Sequence, residues 1–308
     1  MTSTPVLANT REELLSLLAD ARGAGRRVGF VPTMGALHVG HASLMDAARA
    51  EVGDGPVVVS IFVNPLQFGA GEDLDRYPRT LESDLALCGE HGVDIVFAPA
   101  VDEVYPGSGP GGVIEPQVTL EPGPLAEILE GATRPGHFRG VLIVVAKLFG
   151  LVRPDVAVFG QKDYQQLTLI RRMVDDLCMG IDVVGAETVR EADGLALSSR
   201  NRYLDPTQRE HAVALSRTLL RARHNAAHGV DSALAAARAE LRSSEGVDLD
   251  YLVVTGTDLG PAPDHGEARV LIAARVGATR LIDNMPLHLG TTRLGATDPE
   301  PTVALRTP

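Results

Sequence analysis

The stretch Pro32-Thr33-Met34-Gly35-Ala36-Leu37-His38-Val39-Gly40-His41 sets two imidazoles three residues apart around a glycine. It directly follows an apolar, strand-like run (Val28 to Val31) and directly precedes a helix-like one (Ala42 to Glu51). At such a handover the first backbone N–H groups of the helix lack partners, and the helix dipole adds about half a positive charge. Anions gather there. Imidazoles at that point can lean over a phosphate, and Gly35 and Gly40 let backbone approach it without a side chain intervening. The chemistry suggested is nucleotidyl transfer, an attack on the α-phosphate of a nucleoside triphosphate. The plainer alternative is a pair of surface histidines that cap a helix.

Two further segments carry polar groups at the ends of predicted strands, and a third carries them on a loop. Ser60-Ile61-Phe62-Val63-Asn64-Pro65-Leu66-Gln67-Phe68-Gly69 ends a buried strand in amides and a proline-fixed turn. Asn64 and Gln67 can hydrogen-bond a polar substrate without adding charge; ordinary turn chemistry is the alternative. Phe159-Gly160-Gln161-Lys162-Asp163-Tyr164-Gln165-Gln166 passes from strand to helix. Lys162 is there an electrostatically poor choice unless an anion joins it, Asp163 is expected to be the N-cap, and Gln166 faces the same mouth one turn on. In Glu187 to Arg202, Ser198 and Ser199 precede Arg200 and Arg202, with Arg190 upstream. Such hydroxyls and guanidinium groups can wrap the outer phosphates of a triphosphate, or form a simple inter-domain linker. Two glycine patterns mislead. Gly107 to Gly112 fits G-x-G-x-x-G but contains Pro110, follows no strand and opens no helix. Gly131-x-x-x-x-Gly136 continues with His137 and Phe138 instead of the lysine and hydroxyl of a P-loop.

The elements that must position these groups alternate. After a leader, Arg11 to Arg22 reads as a helix with Leu14, Leu15, Leu17 and Leu18 inward. Strands follow at Val28–Val31, Val57–Val63, Asp94–Phe97, Val156–Phe159 and Ile181–Val184, with helices at Ala42–Glu51, Leu81–His91, Val141–Val152 and Tyr164–Leu177. Uninterrupted β-branched runs suit a parallel sheet covered on both faces. The fold class predicted is α/β, a Rossmann-like doubly wound parallel sheet, whose ligands bind beyond the carboxyl ends of the strands. The character then changes: a helix over Asp205–His228 with Pro206 in its first turn, an Ala-rich helix at Ala233–Leu241, and strands at Leu249–Val254, Val270–Ala274 and Arg280–Asp283. We expect a catalytic domain at 1–188 and a smaller α+β C-terminal domain at 189–308, ending in a loose tail.

Composition limits the alternatives. In 308 residues, 44% are hydrophobic and 22% charged, as in a soluble globular protein. A net charge of −12 argues against non-specific binding of nucleic acid. Neither a membrane-spanning run nor a signal peptide is visible. Cys88 and Cys178 lack a C-x-x-C partner, so both are expected reduced and partly buried in a cytoplasmic protein.

Together the motifs V-P-T-M-G-A-L-H-x-G-H, S-I-F-V-N-P-x-Q-F, R-P-G-H-F-x-G-V, F-G-x-K-D-Y-Q-Q and R-E-x-D-G-L-A-x-S-S-R-N closely resemble the pantothenate synthetase (pantoate–β-alanine ligase) family, from about residue 25 to about residue 285. The resemblance implies an ATP-dependent ligation of pantoate to β-alanine through pantoyl adenylate, releasing AMP and pyrophosphate, on a homodimer. It further implies that His41 donates a proton, that His38 and Lys162 contact phosphates, and that Met34, Gly35, Ala36, Leu37, His38, Val39, Gly40 and His41 line the ATP site. Gly160, Gln161, Lys162, Asp163, Val189, Leu197, Ser198, Ser199 and Arg200 complete that site. Gln67 and Gln166 hold pantoate, Asn64 neighbours them, and Arg134 and His137 flank the substrate mouth. Magnesium arrives with ATP; no dedicated metal cage and no tightly bound organic cofactor are expected. Gln161 stands where the family commonly has glutamate, and Leu197 where it commonly has methionine. Two competing readings remain: a nucleotidylyltransferase that adenylates a phosphorylated small molecule, and an inactive ATP-binding or regulatory protein.

Overall fold

The short runs Val57–Val59, Ile95–Phe97 and Val156–Val158 become fully buried strands inside a sheet, while Val6 and Asp182 at its two edges stay exposed. The computed structural model describes residues 4–68, 74, 77–109 and 112–290. The first layer runs β1 (Val6–Ala8), α1 (Arg11–Gly23), β2 (Gly29–Thr33), α2 (Val39–Val52), β3 (Val57–Ile61), α3 (Leu81–Glu90), β4 (Ile95–Phe97) and a short α4 (Val101–Val104). There follow a short α5 (Glu130–Thr133), α6 (His137–Val152), β5 (Val156–Gly160), α7 (Tyr164–Asp176) and β6 (Asp182–Ala186). These strands form one parallel sheet in the order β1-β4-β3-β2-β5-β6. The order reverses at β2: β3 and β4 lie on one side of it, β5 and β6 on the other. β2 pairs with β3 along all of Gly29–Thr33, but with β5 only at Gly29↔Val156 and Phe30↔Ala157. The two strands therefore part toward their carboxyl ends, which opens the switch-point crevice where α/β sheets bind ligands.

α6 fills the core beneath the sheet; Phe138, Val141, Leu142, Val145, Leu148, Phe149 and Val152 all pack there with Phe30, Val58 and Phe97. The far part of the chain makes a second core. α8 (Pro206–Asn225) and α9 (Val230–Arg242) pack on a three-stranded antiparallel sheet, β7 (Val247–Thr255), β8 (Gly266–Val276) and β9 (Thr279–Leu289). α8 starts at a reciprocal cap, with Asp205 accepting from Gln208 N–H at 2.8 Å and Pro206 in the first turn.

The predicted α/β class and its smaller companion are present, and several boundaries move. The leader contains β1, which pairs in parallel with β4 (Val6↔Ile95) and was missed because its three residues carry no period. Leu15 points to solvent, at 44% exposed, because α1 buries only the Leu14–Leu18 stripe. β3 stops at Ile61, two residues short, because the chain turns for Asn64-Pro65. β7, β8 and β9 are each longer than predicted. Cys88 is buried as expected, whereas Cys178 is exposed just beyond the end of α7. The tail after residue 290 lies outside the described residues, as do Gly69, Pro110 and Gly111.

Candidate active site

His38 and His41 terminate α2 by capping each other. His38, in extended conformation, is the N-cap, and its Nδ1 accepts from the Gly40 N–H at 3.1 Å. His41 returns the bond, its Nδ1 accepting from the His38 N–H at 3.3 Å. A Cβ on residue 40 would sit 2.9 Å from His38 Cε1, so only glycine lets that ring fold over the turn. The centroids of the two rings are 4.1 Å apart at a 44° tilt. Because both Nδ1 atoms accept, both protons of the neutral rings reside on Nε2. Burial lowers the pKa of His38, helped by the charge of Lys162. Burial, then the charge of His38, pushes His41 down to about 4 against the pull of Asp163. Near pH 7 the pair is therefore two neutral rings that cap a helix N-terminus and keep their Nε2–H groups as donors.

The approach to α2 is held by a residue that sequence reasoning missed. Asp84 in α3 is 2% exposed, and its carboxylate accepts from the N–H groups of Ala36 (3.0 Å) and Leu37 (2.8 Å) and from the Thr80 hydroxyl (3.1 Å). Both Gly35 and Ala36 have positive φ, 82° and 52°. An alanine in that region is uncommon, and the Asp84 clamp is what holds it there. Nothing in the spacing of Asp84 marks it; its role exists only once β2 and α3 are adjacent.

Across the turn after β3, the Asn64 side chain is engaged within the protein. It is buried, its Nδ2 donates to Gly140 O (3.0 Å) and Gln67 Oε1 (3.2 Å), and its Oδ1 accepts from Tyr105 Oη (2.8 Å). Asn64 thus orients Gln67, whose Nε2 lies 2.9 Å from Met34 Sδ. His137 Nδ1 is 3.0 Å from Gln67 O and its Nε2 is 3.0 Å from Arg134 Nη1. As arginine can only donate, the His137 proton lies on Nδ1 and binds Gln67 O, so both residues brace the Gln67 turn. The helix α6 touches that turn directly at Gly140.

Beyond β5, Gln161–Asp163 is a 3-10 turn. Asp163 stands at the N-cap position of α7 but makes no capping bond; it lies 3.6 Å from Lys162 Nζ instead. Desolvation raises its pKa, but Lys162 and Arg200 outweigh that and hold the carboxyl below its ordinary value. Val189 O accepts from Leu197 N–H at 2.9 Å, which ties the start of the Ser198–Arg200 segment to its own base. Ser198 caps the following 3-10 turn through Arg200 N–H, while Ser199 and Arg200 are exposed. Val39 is exposed too.

A cavity of about 580 Å³ lies between α5–α7 and the C-terminal sheet. Its walls include Arg134, His137, Lys162, Asp163, Gln166 and Arg200, together with Tyr251, Arg280 and Asn284. Sequence reasoning had not placed those last three. His38, His41 and Gln67 are absent from its lining, whereas Lys162, whose charge reaches His38, and Arg200 are part of it.

The sequence model of the pantoate–β-alanine ligase family matches residues 6–286. The chain belongs to this family. It is 71% identical to a pantothenate synthetase of Nocardioides sp. over 94% of this chain and 88% of that relative. Identity to a pantothenate synthetase of Mycolicibacterium smegmatis is 57%, covering 87% and 83%. A crystal structure of pantothenate synthetase from Thermus thermophilus superposes with TM-score 0.81 at 49% identity, covering 91% of this chain and 98% of that one. A pantoate–β-alanine ligase from Francisella tularensis, complexed with β,γ-ATP and β-alanine, superposes with TM-score 0.68 at 34% identity over 91% and 97%. The ligase described here joins pantoate to β-alanine at the expense of ATP to make pantothenate.

Proposed function

We propose that the switch-point crevice carries both half-reactions with the residues assembled above. A pantoate carboxylate oxygen attacks the α-phosphorus of MgATP, the bond to the bridging oxygen breaks, and pyrophosphate leaves. The β-alanine amine then attacks the acyl carbon, loses a proton, and releases AMP. A free carboxylate is a poor acyl donor because oxide is a poor leaving group; AMP supplies a better one. The first step transfers no proton, so neutral His38 and His41 act as Nε2–H donors to charge that builds on the phosphates. This revises His41 from proton donor in the acid sense to hydrogen-bond donor. The carrying observation is the reciprocal cap, which fixes both tautomers at a helix N-terminus.

Lys162, Ser198, Ser199 and Arg200 bind the outer phosphates, Gly160–Asp163 and Val189 the nucleoside side, and Gln67 and Gln166 the pantoate. Arg134 and His137 brace Gln67, and Asn64 positions it. Magnesium enters as part of MgATP. We read residues 1–188 as the catalytic domain and 189–308 as the smaller domain that closes the phosphate side. The assembly is a homodimer in the cytoplasm; Val118, 90% exposed, and nearby Ile114 support a second copy as cover. Among the described residues no helix is long and apolar enough to cross a membrane.

The test is pyrophosphate release from MgATP and pantoate before β-alanine is added. The expected result is one equivalent of pyrophosphate per site and a trapped adenylate that yields pantothenate on adding the amine. Release only with a phosphomonoester in place of pantoate would favour a nucleotidylyltransferase. Sedimentation of the wild type against Val118→Lys tests the dimer.

A further inference from the structure

β9 carries two consecutive buried polar residues, Asp283 and Asn284, each 3% exposed. Neighbours along a strand face opposite sides of the sheet. Leu281 and Met285, on the Asp283 face, pack in the C-terminal core. Asn284 stands opposite Leu271 in register, and Leu271 packs into the core of the parallel-sheet domain. The two side chains thus reach different loops from one step of backbone.

Asp283 receives the Arg190 guanidinium end-on, at 2.7 and 3.0 Å. Arg190 also donates to Gly194 O at 3.1 Å, which fixes the turn that delivers Ser198–Arg200. On the other face, Asn284 Nδ2 donates to Gln161 O (2.9 Å) and Lys162 O (2.8 Å). Its Oδ1 accepts from Arg269 Nε at 2.7 Å, so the amide cannot turn over. Arg269 is itself held by Gln161 Oε1 at 2.8 Å and lies 3.8 Å over the Tyr164 ring. A three-residue 3-10 turn has poor internal hydrogen-bond geometry, and this one has no side-chain cap. Its position is set from outside, by Asn284.

We propose that the Asp283–Asn284 step is a positioning device that holds the Lys162 turn and the Ser198–Arg200 loop at one fixed spacing, so that the C-terminal sheet sets the phosphate geometry of adenylation. The proposal rests on the assignment of Lys162 to the phosphates, which Lys162→Ala tests by itself: full activity of that variant removes the assignment whatever Asn284 does.

The deciding experiment is a double-mutant cycle on pantoate-dependent pyrophosphate release, with folding checked by thermal melting. If Asn284 acts through Lys162, Asn284→Ala lowers kcat/KM for ATP at least about fivefold more in the wild-type background than in Lys162→Ala. A purely structural role gives the same loss in both. Coupling smaller than about fivefold overturns the proposal. Arg269→Gln, which frees the Asn284 amide to rotate, must give the same pattern and serves if Asn284→Ala does not fold. Asp283→Asn paired with Arg200→Ala is read by the same criterion.

Discussion

Gly140→Ala tests how finely the substrate turn is placed. An added Cβ would lie 2.2 Å from Leu66 O, 2.5 Å from Leu66 C and 2.8 Å from Gln67 Cα, all of them backbone atoms that no rotamer change can clear. A close C–H···O contact needs about 3.3 Å, so the turn at Pro65–Gln67 must retreat by about 1 Å. That carries Gln67 away from Met34 and weakens the Asn64–Gly140 bond. A misplacement of about 1 Å costs on the order of 100-fold in rate, and overpacking of this kind costs about 1–3 kcal/mol of stability. We expect kcat/KM for pantoate to fall about 100-fold in a coupled pyrophosphate assay and Tm to fall by several degrees. The loss should be non-additive with Gln67→Ala. Gly150→Ala is the control: it lies in the same helix, nothing lies within 4 Å of its added Cβ, and a gain of about 0.4–1 kcal/mol is expected. An unchanged pantoate kcat/KM and an unchanged Tm in Gly140→Ala would refute the steric argument.

Three other outcomes are expected. Asp84→Asn keeps one acceptor but loses a charge-assisted bond to the Ala36–Leu37 backbone, for about 2–3 kcal/mol of stability by urea unfolding, and slows adenylation; an unchanged midpoint would contradict the clamp. His41 has a folded pKa of about 4, below its unfolded value near 6.5, so its neutral form stabilises the fold above about pH 6.5 and that stability drains away as pH falls toward 4. His41→Asn should flatten the urea midpoint across that window, and an equally steep curve would count against burial of a neutral ring. Burial pushes the Cys88 thiol up to about 12, while Cys178 is exposed. A thiol reagent should therefore modify one cysteine quickly in the native protein and both after denaturation, and fast double labelling would speak against the packing of α3.

The alternation of β-branched runs and amphipathic helices made the parallel sheet legible, since burial on both faces leaves a period that survives in sequence. The histidine motif and Lys162 stand out in the sequence because each follows a strand end, whereas the Ser198–Arg200 segment, well beyond the end of β6, stands out only by its hydroxyls and arginines. Asn64 stays open to two readings in the sequence for a physical reason: a buried amide and a substrate-facing amide have the same side chain, and its bonds to Tyr105 and Gly140 appear only in the folded chain. Asp84, Arg269 and Asn284 were not legible. Their partners lie 48, 108 and 123 residues away in the chain, at positions that no local spacing encodes.

The early parting of β2 and β5 leaves the backbone of Val31–Thr33 and of Val158–Gly160 without a ladder across that seam. A molecule lodged there meets open main-chain groups on both banks and becomes, in effect, a missing rung of the sheet. Occupancy then adds to the cohesion of the fold by mass action, in proportion to the logarithm of ligand concentration over its dissociation constant. Amide exchange at Val158, Phe159 and Gly160 should slow most on binding, whereas Pro32 across the seam has no N–H to exchange and offers only its carbonyl. The loaded enzyme thus extends the β2–β5 seam beyond its two paired positions.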